Sequence, residues 1–153
     1  MDTDGIRKAL FKRYLLILLP AAVVLLGWAA FRNLATPPAP LAPETTGPAA
    51  FIGAVVFALA LPLFLRDRFV KSVAKEKSVP ADRFLSFELS ALTVGLLSAY
   101  FAAAAYVCAV SQFHFGGSFL AALYAAYYYF PSRTRVAHEM RLFRVPSDGG
   151  PTE

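Results

Sequence analysis

FLSFELSALTVGLLSAYFAAAAYVCAVSQFHFGGSFLAALYAAYYYF, residues 84–130, is a run of 47 residues in which Glu88 is the single Asp, Glu, Lys or Arg. As one helix it would reach about 70 Å, more than twice a hydrocarbon core of about 30 Å, so it has to fold back. The break belongs at Ser111-Gln112-Phe113-His114-Phe115-Gly116-Gly117, where polar residues and a glycine pair interrupt the run. That predicts helices over about 84–110 and 115–130, the second closed by Pro131.

Two further apolar runs precede it and predict spans over about 14–33 and 49–65. Pro20 and Pro62 fall inside them, where a proline in lipid kinks a helix without ending it. The whole chain agrees. Apolar residues make up 58% and charged residues 16%, and mean hydropathy is +0.53, too little polar material for a water-facing surface. Soluble enzymes, disordered regulators and secreted disulfide scaffolds are excluded together. The expected fold is an all-α integral membrane protein: four helices in an antiparallel up-down bundle forming one domain over residues 1–145.

Loop charges orient that bundle. Arg7, Lys8, Lys12 and Arg13 precede the first span, six Lys and Arg lie between residues 66 and 83, and four Arg follow Pro131. Fourteen of the 15 cations thus fall on one side, with Arg32 alone on the other. By the positive-inside rule that side, with both termini, is the cytoplasmic face of a bacterial-type cytoplasmic membrane. The same rule accounts for the net charge of +5 without nucleic acid as a partner. The single cysteine, Cys108, excludes an intrachain disulfide. A signal peptide is not expected, because the first run exceeds a usual h-region and the prolines after Ala35 make a poor cleavage context.

Outside the spans, residues 37–44 (PPAPLAPE) read as a polyproline tether. Ser132 can cap a short helix over about 132–144 with Val136, Met140 and Phe143 on one side, expected to lie at the inner headgroups. Residues 146–153 read as a disordered tail. Small residues at a spacing of four, Gly95, Ala99 and Ala103 on the third span and Gly117, Ala121 and Ala125 on the fourth, predict a close seam within that hairpin. Residues 127–130 (YYYF) form an aromatic belt.

Polarity gathers in the second hairpin, at Ser86, Glu88, Ser90, Thr93 and several tyrosines. Glu88 stands about 7.5 Å along the helix from Arg83, and a carboxylate at that depth must reach the headgroups, find a partner or hold a proton. The expected site is a polar layer of Glu88, Tyr124, Tyr127 and Arg83, with the carbonyls of Leu16 and Ala58 freed by Pro20 and Pro62. Three readings stay open: an ion pair with Arg83 or Arg66 that pins the helix start, a proton or cation site, and a contact for a binding partner. His114 and His138 lie on opposite sides, and neither a metal site, a cofactor site nor a catalytic constellation is legible. The expected role is non-enzymatic, an accessory or scaffolding subunit whose partners are the lipid bilayer, other membrane subunits or its own copies. The alternative is a small oligomeric transporter or channel coupled through Glu88.

Overall fold

The computed structural model of the chain describes residues 3–34 and 40–146. These residues form five helices and no strand. α1 runs Thr3–Leu34, α2 Pro43–Val73 and α3 Ala81–Val107, α4 Gln112–Tyr128 and α5 Arg133–Leu142. α1, α2 and α3 are each long and apolar enough to cross a membrane. α4, with 17 residues, rises about 26 Å.

The helices start earlier than the hydropathy alone implies. Ile6, Leu10, Tyr14, Ile17 and Ala21 are all buried, and their spacing of three and four makes one stripe that carries α1 back to Thr3. α2 opens at Pro43, whose missing N–H is harmless in a first turn, so the end of the expected tether is already helical. Residues 37–39 of that tether and residues 147–153 of the tail lie outside the described residues. α2 also continues past Arg66 to Val73. Inside it, Val56–Ala60 widens into a π turn ahead of Pro62, with Leu61 N–H donating to the Val56 carbonyl.

α3 is the central element, packed against α1, α2 and α4. The small residues let this happen, though not as two facing stripes alone. A Cβ at Gly95 would land in the Tyr129 ring, and one at Gly117 in the Phe51 ring of α2. Ala99 shares a cluster with Ala21, Ala102 and Ala122, Ala103 is buried, and Ala125 lies in the main core with Ala121 packed on it. Gly116 and Gly117, expected in the turn, lie within α4; the chain reverses at residues 108–111 instead.

That reversal has its own chemistry. Val110 N–H donates to the Ala105 carbonyl and Ala109 N–H to the Tyr106 carbonyl, the paired bonds of a Schellman motif. Ala109 supplies the left-handed residue at φ 50°. At the end of α5, Val145 and Arg144 donate to Met140 and Arg141 in the same pattern, with Arg144 at φ 53°. Ser111 and Ser132 cap the two helices that follow, accepting from the N–H groups of His114 and Arg135.

The largest departure concerns α5. Val136, Met140 and Phe143 are at most 7% exposed, packed with Ile6, Leu10, Val73, Phe84 and Phe87. The apolar face expected at the headgroups is therefore covered by protein, because the ends of α1, α2 and α3 extend beyond α4 and offer it a surface. α1 to α3 and α5 form a compact head at that end.

An L-residue in the left-handed region is disfavoured by about 1–2 kcal/mol relative to glycine, partly offset by glycine's greater unfolded-chain entropy. Ala109→Gly is thus expected to stabilise the chain by about 0.5–1 kcal/mol in a denaturant titration in micelles. No change, or a loss, would mean the turn is not formed this way.

Candidate functional site

α4 ends at Tyr128, and Tyr129 packs over Gly95. Glu88 lies seven residues earlier on α3, about 10 Å further toward the head. Below the end of α4, α5 packs along α1 and reaches α3 through its side chains. Glu88, 4% exposed, meets Arg135 there: Nη2 donates to Oε2 at 3.0 Å. The guanidinium carbon also sits 5.3 Å from the Tyr129 ring centroid and 5.7 Å from that of Tyr128. Ring faces attract a cation, which suits a group whose Nη1 is buried with no hydrogen-bond partner among the described residues.

A second pair lies beside the first. Arg66 of α2 grips Glu139 of α5 in a fork, Nη1 to Oε1 at 3.1 Å and Nη2 to Oε2 at 3.2 Å, a geometry only a planar guanidinium offers. A third, more exposed pair joins Arg133 to Asp4 of α1 at 2.9 and 3.2 Å. α5 is therefore tied to each of the three long helices by a separate Arg–carboxylate contact.

Beside the Glu88–Arg135 pair, and reached by Arg66, lies a cavity of about 50 Å³. Glu88, Arg135, Arg66, Tyr124, Ala58 and Pro62 are among its walls. Pro62 has no N–H to return to the Ala58 carbonyl, and the π turn shifts the bonding around it.

Of the residues expected in a polar layer, Glu88 and Tyr124 come together, with Ala58 and Pro62. Tyr124 stacks on Tyr128 at 5.7 Å. Tyr127 does not join them; it is 86% exposed on the outer face of α4. Arg83 turns away to Glu76, at 2.6 Å, and Leu16 and Pro20 are not in the walls. The Glu88 partner is Arg135, not Arg83 or Arg66. Sequence proximity pointed to the wrong arginine because residues 88 and 135 are brought together only by the α3–α4 hairpin.

Two tyrosines fix α1 to this frame. Tyr14 donates to the Ala126 carbonyl at 3.0 Å, one of the last carbonyls of α4, which have no helical partner. Tyr100 donates to the Ile17 carbonyl at 3.0 Å. Among the described residues no three His, Cys, Asp or Glu side chains gather as a metal site would need. Compared with family models, curated proteins and solved structures, the chain matches none.

Removing one member of a buried ion pair leaves the other desolvated and unpaired, at a cost of about 3 kcal/mol. Glu88→Gln and Arg135→Gln should each destabilise the protein by about 2–4 kcal/mol, and the double variant should lose at least 1 kcal/mol less than the two singles summed. Strict additivity in a double-mutant cycle would show that the two groups do not pair in solution.

Proposed function

We propose that the chain is a four-span protein of a bacterial-type cytoplasmic membrane, with both termini cytoplasmic, and serves as a non-enzymatic accessory or scaffolding subunit of a larger membrane assembly. α4 counts as the fourth span in this reading. Its 17 residues fall a few ångströms short of a core of about 30 Å, a mismatch a bilayer absorbs by thinning. Tyr127, Tyr128 and Phe130 at its lower end, all exposed, suit a headgroup belt. The head of α5 and the helix ends carries nearly all the Lys and Arg, which supports its assignment to the cytoplasmic side.

The Glu88–Arg135 contact carries the functional reading. A glutamate that couples ion movement has to exchange its proton or ion with both sides. Here the carboxylate is held by a guanidinium, next to a cavity of about 50 Å³. Its work is to lock α5 in place. What remains for interaction is the lipid-level surface, above all α1, which leaves Leu16, Leu19, Val23 and Leu26 exposed for lipid, a partner helix or a second copy.

Reporter fusions at residues 45 and 75 should read opposite compartments. The tagged full chain, taken from native membranes in a mild detergent, should carry one membrane partner in fixed ratio. Migration as a bare monomer, together with proton or cation flux in liposomes that Glu88→Gln abolishes, would replace the scaffold with the transporter.

A further inference from the structure

One group of polar residues is used neither by the core nor by the ion pairs of α5. Ser86, Ser90 and Thr93 stand at intervals of four and three on one face of α3; Ser86 and Ser90 are exposed, and the Ser90 hydroxyl donates to the Ser86 carbonyl at 2.8 Å, which leaves the Thr93 hydroxyl beside Arg13 as the one to serve a ligand. All three line an open groove of about 590 Å³ between α1 and α3. Arg13 forms its opposite wall, with Leu89 and Val94 as apolar flanks.

Arg13 is oriented. Its Nε donates to Thr93 Oγ1 at 3.3 Å, which leaves both Nη groups for a further acceptor. The next residue, Tyr14, bonds to the lower end of α4, so the guanidinium stands level with the aromatic belt. Arginine, the Thr93 hydroxyl and an apolar side chain therefore meet at the height where a phospholipid changes from phosphate to acyl chain. Asp82 closes the groove at the head end, about 16 Å along α3 from Thr93 and remote from a phosphate seated on Arg13.

We propose that this groove binds an anionic phospholipid of the adjoining leaflet, with its phosphodiester on Arg13 and the Thr93 hydroxyl and its acyl chains along Val94. The site goes beyond the scaffold reading and needs only that the head lie at a membrane surface. Charge complementarity selects the ligand: at headgroup height the groove offers Arg13 and the Thr93 hydroxyl, its carboxylate, Asp82, lies at the far head end, and a juxtamembrane cation attracts anionic lipid. Lys12, adjacent in sequence, lies on another face of α1 with Lys8, Phe11 and Leu15, and so reports the attraction that any surface cation exerts.

Native mass spectrometry of the full chain with added phosphatidylglycerol or phosphatidylcholine tests the site. Wild type should retain phosphatidylglycerol preferentially. Arg13→Gln should weaken retention roughly three- to tenfold more than Lys12→Gln does. Thr93→Val, which keeps the side chain's shape and removes its hydroxyl, should weaken it about threefold with thermal stability unchanged. Equal losses for Arg13→Gln and Lys12→Gln, unchanged retention in Thr93→Val, or equal retention of phosphatidylcholine would each overturn the proposal.

Discussion

α3 has to be covered for its whole length, and α4 is too short to do it. The 27 residues of α3 rise about 40 Å while the 17 of α4 return about 26 Å. Some 14 Å of a helix bearing Phe84, Phe87 and Glu88 on its inward side would otherwise be left uncovered. The chain resolves this by turning at Pro131 and laying α5 across the gap. From that mismatch follow the buried face of α5, the early start of α1 and the late finish of α2, since each extra turn contributes a wall to the same head.

The three ion pairs that hold α5 are not equivalent. Asp4 and Arg133 are 42% and 69% exposed as side chains, and a pair in that setting contributes little to stability. Glu88 and Arg135, at 6% and 19%, lose most of their hydration, so their attraction roughly repays desolvation and adds little net. The stabilisation comes from Val136, Met140 and Phe143, each side chain worth on the order of 2 kcal/mol when buried. What the buried pairs supply is register. A slip of α5 by one residue would set Glu88 and Glu139 against apolar atoms, an error far larger than the energy of the correct pairing.

Much of the architecture was legible from residue patterns. The apolar runs located the long helices, the length of residues 84–130 required a reversal, and Ser132 marked the start of α5. The stripe Ile6, Leu10, Tyr14, Ile17 and Ala21 was equally present in the sequence, yet its first members sit among cations and a window of mean hydropathy passes over them. Gly116 and Gly117 read as a turn because glycine breaks helices in water. Here Gly117 instead admits an aromatic ring from α2. The pairing of Glu88 with Arg135 left no local trace. It depends on the difference in length between two helices, and that could be measured only once both ends of α4 were known.

The same logic explains why an amphipathic helix suited to a lipid surface rests on protein. Either location buries its apolar face at comparable gain per unit area. At a bilayer, Glu139 would face anionic or zwitterionic headgroups without a fixed cation. In the head, Arg66 meets it in a fork and Arg135 gains two aromatic faces as well as Glu88. The carboxylates therefore decide between two otherwise similar hydrophobic environments. Glu139 points its charge along the same side as Arg135, one turn away, so a single rotation of α5 satisfies both pairs at once. That shared rotation makes the docked position specific.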